Sequence, residues 1–456
     1  MNSKEVIGRL DKFLNSLSPL PKKIIKKKQS RNIDSHFERI MLLVERLEIS
    51  FSDFEFINVV GTSGKGSTTM MISECLHESG KSVGSFFSPH ITSIIERFWF
   101  NGRFVEPKLV SKVYDSFVST IKKISQEGQC FIPTFFESSL VVFLLMAKEI
   151  NCEVLVLEAG IGGKYDVTRI PFSQKLCVIT KVALDHTELL GKTVSEIARD
   201  KAGIIAENGR VIVSKNHYVV KREISKISKK KSAKLYSCPT PEQVVLKQNC
   251  TVFNLNFSDG SFLKNLSIPM FGEHQVHNAA LAAGACKLMN LDNLSISKGL
   301  SKSRLPGRIE IVSKNPTVIL DVAHNRDKVK ALIQVLKRRS EGRLFFIVGC
   351  LEGKDSLGII EELSETKGVF LLTLPPVFGS RKYVSFSKLG KMLMKNRIRD
   401  FQNFIDPWDA LKQALRLIKR DDVLVITGSS YLVGELRKFW FEEDYILESG
   451  NLFARK

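Results

Sequence analysis

The chain has 456 residues, 43% hydrophobic and 25% charged, which excludes wholesale disorder and suits roughly two to three domains. Its 68 Lys and Arg against 48 Asp and Glu give a net charge of +20, which favours an acidic ligand or partner unless the surface is simply lysine-rich and solvated. No uncharged apolar run reaches the ~20 residues of a bilayer span, and the charged opening MNSKEVIGRLDKFLNS does not read as a secretory signal.

In chain order, FINVVGT (Phe56 to Thr62), EVLVLEAG (Glu153 to Gly160), LCVITKVA (Leu176 to Ala183) and RVIVS (Arg210 to Ser214) read as strands. They are short, nearly continuous apolar runs, the pattern of a parallel sheet covered on both faces. Helical patterns fall between them, at Pro107 to Glu127 and Thr193 to Glu207, and Ser138 to Ala147 suits a buried helix. This alternation implies βαβ units and a doubly wound sheet. Between Lys234 and Ser267 the texture changes to a hairpin around Asp259-Gly260, followed by an Ala-rich helix from His274 to Met289. After Leu305-Pro306-Gly307 the rhythm restarts with TVILDVA, RLFFIVGC, GVFLLTLP and DVLVITGS, which places a domain boundary near residue 304.

Eight cysteines (Cys75, Cys130, Cys152, Cys177, Cys238, Cys250, Cys286 and Cys350) are scattered without a CxxC pair. They read as buried free thiols of a cytoplasmic protein, not as a disulfide frame or zinc site. The basic stretches Lys22 to Lys28 and Lys221 to Lys234 read as exposed helix faces or loops, with no aromatic pattern to support a nucleic-acid arm.

The strongest local signal is VVGTSGKGSTT, Val59 to Thr69, after a strand and before a helix. There, backbone N–H groups can wrap phosphates, with Lys65 adding charge and Ser67 or Thr68 a hydroxyl. Glycine is needed because a Cβ would hold the backbone off the anion. The loop departs from G-x-x-x-x-G-K-[ST]: Val59 stands at the first Gly and Gly66 separates Lys65 from Ser67. A guanine-specific switch is disfavoured, because in TKVALD Asp185 arrives too late for N-K-x-D.

With SFFSPH, TFFE, LEAGIGGKYDVT, ALDHTELLG, RDKAGII, GEHQVHNAA, LPGRIE, ILDVAHN and ITGSSYLVGE following in order to Glu435, the chain resembles the folylpolyglutamate synthase/dihydrofolate synthase family of the Mur ligase superfamily. The resemblance implies an α/β protein. An N-terminal P-loop ATPase domain with a doubly wound, mainly parallel sheet (1–303) would be joined to a smaller Rossmann-like α/β glutamate-ligase domain (304–456). The implied reaction is ATP-dependent addition of L-glutamate to dihydropteroate, to folate tails, or to both, through an acyl phosphate. Such transfer needs positioning and charge neutralisation more than covalent help.

By the same resemblance, Gly61, Thr62, Gly64, Lys65, Gly66, Ser67, Asn278, Arg308 and Asp321 would bind ATP, with Asn278 at the adenine and Arg308 at the phosphates. Ser88, Glu158 and His186 would hold magnesium, a hard cation suited by such donors and water. Lys201 would be a carbamylated lysine, the alternative being an ordinary exposed helical one. Lys65, His186, Lys201 and Arg308 form the expected catalytic set, and His324 and Asn325 the glutamate side. Thr134, Phe135, Phe136 and Glu137, with Tyr165, Asp166 and Val167, mark the pterin side. There Phe135 and Phe136 could stack on a flat heterocycle, unless they are core, and Glu137 could accept from its amino groups.

Four positions depart from the family pattern: Ser63 for Asn, Lys164 for Arg, Arg169 for Asn and Val322 for Gly. At 164 a point charge replaces a bidentate one. The expected partners are small molecules, with no nucleic acid, no membrane and a monomeric chain. Competing readings are a Mur ligase of peptidoglycan precursors, a basic nucleotide-dependent nucleic-acid-binding protein, and a catalytically dead binding module.

Overall fold

The computed structural model describes residues 3–17, 34–127, 132–169, 174–338, 342–377 and 382–453. Cys130 and the Lys22 to Lys28 run lie outside the described residues.

The apolar runs of the first half form one sheet. β1 (Glu55–Val60), β2 (Val83–Phe86), β3 (Phe98–Phe100), β4 (Arg103–Phe104), β5 (Val154–Glu158), β6 (Gln174–Ile179), β7 (Arg210–Val213) and β8 (Lys234–Ser237) lie in the order β4-β3-β2-β5-β1-β6-β7-β8. From β2 to β8 neighbours pair in parallel, and β3 and β4 add an antiparallel edge. Every residue of β2 and β5 is buried, which is why the central strands carry no polar alternation.

Helices Lys65–Glu78 and Phe135–Ile150 pack on this sheet, and Ser138 to Ala147 is buried throughout, as its composition predicts. Helix Pro107–Glu127 has the predicted bounds. The helix predicted over Thr193 to Glu207 is shorter, at Val194–Ala202. Thr193 caps it by accepting the Glu196 N–H, and the helix stops at Gly203. Ile204 and Ile205 beyond it are buried in the core, so their apolar character is not helical periodicity.

The Lys234 to Ser267 segment divides in two. β8 joins the parallel sheet, while β9 (Thr240–Leu246), β10 (Thr251–Asn256) and β11 (Phe262–Ile268) make an antiparallel sheet. The predicted hairpin joins β10 to β11, its turn held by the Ser261 N–H donating to Asp259 Oδ1 at 2.9 Å. The basic stretch from Lys221 lies mostly on helix Tyr218–Lys230, whose Val220 and Ile224 face inward.

A second sheet has the order β12-β13-β17-β14-β15-β16. It is built from β12 (Glu310–Lys314), β13 (Thr317–Leu320), β14 (Leu344–Val348), β15 (Val369–Thr373), β16 (Phe401–Phe404) and β17 (Val423–Thr427). All pairs are parallel except β12 with β13. β12 and β16 are half-exposed edge strands with mixed polarity, so no apolar run announces them.

The two sheets are fastened by Arg437, which has no exposed side-chain surface. Its guanidinium donates to Glu310 through Nε (3.0 Å) and Nη2 (2.9 Å), to Thr92 Oγ1 at 3.3 Å and to the Leu452 carbonyl at 2.6 Å. The plane also lies 4.2 Å from the Phe441 ring centroid. One side chain therefore ties the loop after β2, the start of the second sheet and the end of the described chain.

Candidate active site

β1 ends at Val60, the chain turns through Gly61 to Gly64, and helix Lys65–Glu78 begins. Gly64 sits at φ 88°, and a Cβ there would come 2.3 Å from Asn278 Oδ1. Only glycine fits both the left-handed backbone and the neighbour. Asn278 thus lies against the phosphate loop itself, oriented by donating to Gln275 Oε1 at 3.0 Å. Thr62 and Ser63 anchor the loop to β6's exit: both N–H groups reach the Lys181 carbonyl, at 2.8 and 3.3 Å.

Two ammonium groups meet on one oxygen. The Gly61 carbonyl accepts from Lys201 Nζ at 2.9 Å and from Lys65 Nζ at 3.2 Å. Lys201 is 4% exposed, so the exposed-helix alternative is set aside. Burial, then repulsion from Lys65, pulls its ammonium down to about 7.

Glu158 ends β5 one strand away, its Val59 partner fixing it level with the loop. It is buried and accepts the Ser88 N–H at 3.1 Å through Oε2, while Oε1 has no hydrogen-bond partner among the described residues. Burial raises its carboxyl, against the pull of Lys65, Ser88 N–H, Arg308 and Arg97. His186 begins the turn after β6 at φ 48°. Burial lowers its imidazole, with Asp185 opposing and Lys354, Lys65 and Lys201 adding to the fall. A neutral imidazole is the form a metal can use.

The described residues contain no cluster of three or more His, Cys, Asp or Glu poised for a metal. Glu158 and His186 alone therefore fit a cation only where hydroxyl, water and phosphate oxygens complete the shell, which suits magnesium and not zinc. The phosphate loop fits a polyanion on a separate ground, since Lys65 and Arg308 have no carboxylate ion pair among the described residues.

Several expected contacts prove to be scaffold. Both Glu137 oxygens are taken, by Arg39 (2.9 and 2.7 Å), by His36 and by the Thr134 N–H (2.9 Å). It completes a capping box with Thr134 and is 1% exposed, so it is corrected from a heterocycle acceptor to the brace of helix Phe135–Ile150. Asp166 is likewise satisfied by Ile161 N–H and by Thr168 N–H and hydroxyl, and Val167 is buried. Phe136 packs on Phe86 with centroids 5.5 Å apart but is only partly buried and still lines the cleft, Phe135 lies under the Arg97 guanidinium at 5.0 Å, and Tyr165 is exposed beside Lys164.

Asp321 accepts the Ile309 and Ala323 N–H groups at 2.9 Å each, and burial pushes its carboxyl up to about 6. Ile309 holds φ 51°, a costly conformation for a β-branched residue, so Asp321 clamps the backbone that aims Arg308. Asn325 caps helix Arg326–Lys337 by accepting the Lys328 N–H. His324 Nδ1 bonds the Val322 carbonyl at 2.9 Å, leaving Nε2 toward Lys328 Nζ at 3.1 Å.

Phosphate loop, Ser88, Glu158, Asp185, His186, Phe135, Tyr165, Asn278, Arg308, Asp321 and His324 all line one cleft of about 3390 Å³ between the sheets, with Lys201 immediately behind the loop. Three lining cations were not singled out from sequence. Arg97 is buried, donates to His90 Nδ1 at 2.9 Å, and has an Nη1 without a partner among the described residues. A Glu96-Arg97 pair inside the apolar stretch Ile94 to Phe100 was its signal. Lys328 and Lys354 gave none, being two among 68 basic residues.

Comparison with known proteins agrees with this geometry. Residues 108–286 match the Mur ligase middle domain and residues 307–430 the glutamate ligase domain of Mur ligases. The chain is 30% identical over 417 residues to folylpolyglutamate synthase of Lacticaseibacillus casei, covering 88% of this chain and 93% of that one. It is 28% identical over 420 residues to dihydrofolate synthase/folylpolyglutamate synthase of Bacillus subtilis, covering 88% and 94%. Among solved structures, E. coli FolC in complex with DHPP and ADP superposes with a TM-score of 0.79 at 27% identity, covering 96% of this chain and 98% of that one.

Proposed function

The chain belongs to the folylpolyglutamate synthase family of Mur ligases, and from that premise we propose how its cleft divides the family's reaction among its residues. It is an ATP-dependent ligase that joins glutamate to folates or to dihydropteroate. The γ-phosphoryl of ATP passes to the substrate carboxylate, and the glutamate amine then displaces phosphate to leave an amide. Magnesium, when bound, neutralises the phosphate charge.

Lys65 and the N–H groups at the start of helix Lys65–Glu78 hold the phosphates, and Asn278 fixes the loop beneath them. Arg308, aimed by the Asp321 clamp, closes on the phosphates from the second sheet. Glu158, His186 and Ser88 would hold the cation. Lys201, as a carbamate, would turn a repelling ammonium into an anion behind the phosphate loop. Phe135 and Tyr165 supply the faces for the flat heterocycle, with Arg97 beside them for its acidic end. The same proposal divides the chain into 1–303 for ATP and 304–456 for glutamate, supported by the change of sheet between β11 and β12. It makes the enzyme a cytoplasmic monomer. Free thiols suit that compartment, and one chain supplies both walls of the cleft.

The observation that carries the reading is the meeting, in one cleft, of a glycine-rich loop at a helix start, a buried strand-end carboxylate and cations from the second sheet's side that have no carboxylate ion pair among the described residues. The test supplies purified protein with ATP, magnesium and labelled glutamate, separately with dihydropteroate and tetrahydrofolate. Glutamate-dependent ADP release with at least one acceptor is expected, and Lys65→Ala should abolish it. Turnover of Lys65→Ala within about tenfold of the parent, a barrier change of only ~1.4 kcal/mol, would remove Lys65 from its role.

A further inference from the structure

After β5 the chain makes a closed turn from Gly160 to Asp166, which accepts the Ile161 N–H at 2.9 Å and so lets the turn move as one piece. The turn carries Tyr165 to the cleft. Lys164 Nζ lies 4.8 Å from the Tyr165 ring centroid, and Arg169 Nη1 donates to the Lys164 carbonyl at 2.8 Å. Two of the four departures from the family pattern, Lys164 and Arg169, therefore brace this turn. Its mate is the end of helix Val194–Ala202. Asp200 grips the turn twice: Oδ1 accepts the Gly163 N–H at 2.9 Å, and the main-chain carbonyl accepts the Lys164 N–H at 2.9 Å. The backbones touch. A Cβ at Gly163 would come 2.4 Å from the Lys201 carbonyl oxygen, and one at Gly203 would come 2.5 Å from Lys164 Cβ. On its other side the same helix end reaches the phosphate loop, where Lys201 Nζ donates to the Gly61 carbonyl.

Phosphoryl transfer to a carboxylate requires two bound molecules to meet in register, and a misplacement of about 1 Å costs roughly 100-fold in rate. The acceptor rests on the turn with Tyr165 and the nucleotide on the loop with Gly61. Asp200 and Lys201, adjacent in the chain, each hold one of them. We propose that Asp200 is a positioning residue that sets the spacing between these two subsites, its carboxylate fixing the acceptor's turn to the helix end that Lys201 fixes to the phosphate loop. The assignment rests on reading the chain as a ligase with its heterocycle at Tyr165, and it adds the residue that registers one substrate against the other. What the turn takes from the Asp200 side chain is an oxygen acceptor for an N–H group, which a neutral amide also supplies.

The test measures kcat and the Michaelis constants of the full-length enzyme for the pterin acceptor, ATP and glutamate separately. Asp200→Ala frees the Gly163 N–H and should raise the acceptor constant about tenfold, the size of one lost charge-assisted hydrogen bond, and lower kcat with it. The ATP and glutamate constants should stay within about twofold, since Thr62 and Ser63 anchor the phosphate loop to Lys181 independently. Asp200→Asn keeps an oxygen acceptor and should recover most of the acceptor affinity. Gly203→Ala presses a methyl on Lys164, displaces the turn from the other side and should show the same split; it carries the comparison if Asp200→Ala does not fold. An unchanged acceptor constant in Asp200→Ala, three constants that rise together, or Asp200→Asn as impaired as Asp200→Ala overturns the assignment. A lower urea midpoint in Asp200→Ala with the parent's kinetics overturns it too, leaving Asp200 merely structural. Parent protein that releases no glutamate-dependent ADP would instead overturn the ligase reading beneath it.

Discussion

Burial makes it costly to charge Lys201, and the Lys65 ammonium on the same Gly61 carbonyl adds repulsion. An amine held near 7 is substantially neutral at physiological pH, and the neutral amine is what adds carbon dioxide. At fixed dissolved carbon dioxide, the neutral fraction rises roughly tenfold between pH 6 and pH 8 for a group titrating near 7. Enzyme stripped of carbon dioxide at low pH should therefore regain activity faster at pH 8 than at pH 6. Lys201→Ala should lose activity and recover part of it with acetate, which restores an anion in the vacated space. Equal recovery rates at the two pH values, or intact activity in the alanine variant, would rule out the carbamate. Glu158→Gln and His186→Ala should each raise the magnesium requirement, and a magnesium titration unchanged in both would take them out of the cation site.

Helix Lys65–Glu78 is buried from Gly66 to Leu76, including the acidic Glu74. Burial, with Glu78 adding repulsion against Lys302, pushes the Glu74 carboxyl up to about 7. The unfolded chain gives up this proton near 4.5 and the folded protein near 7, so stability is lost as pH rises through that window. Glu74→Gln should flatten the dependence and gain up to about 3 kcal/mol at pH 8, read from urea unfolding at several pH values. A variant that tracks the parent at every pH would show Glu74 to be charged and satisfied. Elements of this kind also decide what sequence could reveal. Central strands and helices such as Pro107–Glu127 were legible because burial on both faces or on one face imposes an apolar period. Edge strands β12 and β16 were not, since half-exposed residues carry no period. That the glycine-rich turn after β1, Glu158 and His186 share one cleft was legible from motif order. That Glu137 and Asp321 brace backbone was not, because a carboxylate's partners, Arg39 or the Ile309 N–H, come from distant segments. Lys328 and Lys354 reach one cleft only because the fold brings the segments after β13 and β14 to the same wall.

Across the whole molecule, the net charge of +20 is the largest unassigned quantity. A growing folyl tail gains one free carboxylate per glutamate, whereas dihydropteroate carries a single one. Steering by surface charge is screened beyond ~8 Å at physiological ionic strength. The Michaelis constant for folyl-diglutamate should then rise with salt more steeply than that for dihydropteroate; equal slopes would make the charge mere surface composition. The halves that form the cleft depend on Arg437, and Glu310→Gln should cost about 3 kcal/mol by removing its ion-pair partner and leaving Glu96 as the remaining buried counter-charge, measured as a lower urea midpoint. One of the Arg437 donors ends on the Leu452 carbonyl. The final turn of the described chain is therefore a plug in the joint between the sheets, not a trailing end. A protease that clipped the backbone after Ser449 would touch nothing in the cleft, yet it would remove both the Leu452 acceptor and the Phe453 cover from Arg437, at about 0.5–1.5 kcal/mol for the lost hydrogen bond. The stability of both walls thus rests partly on a contact remote from the chemistry, and a cut there should show first as a lower urea midpoint.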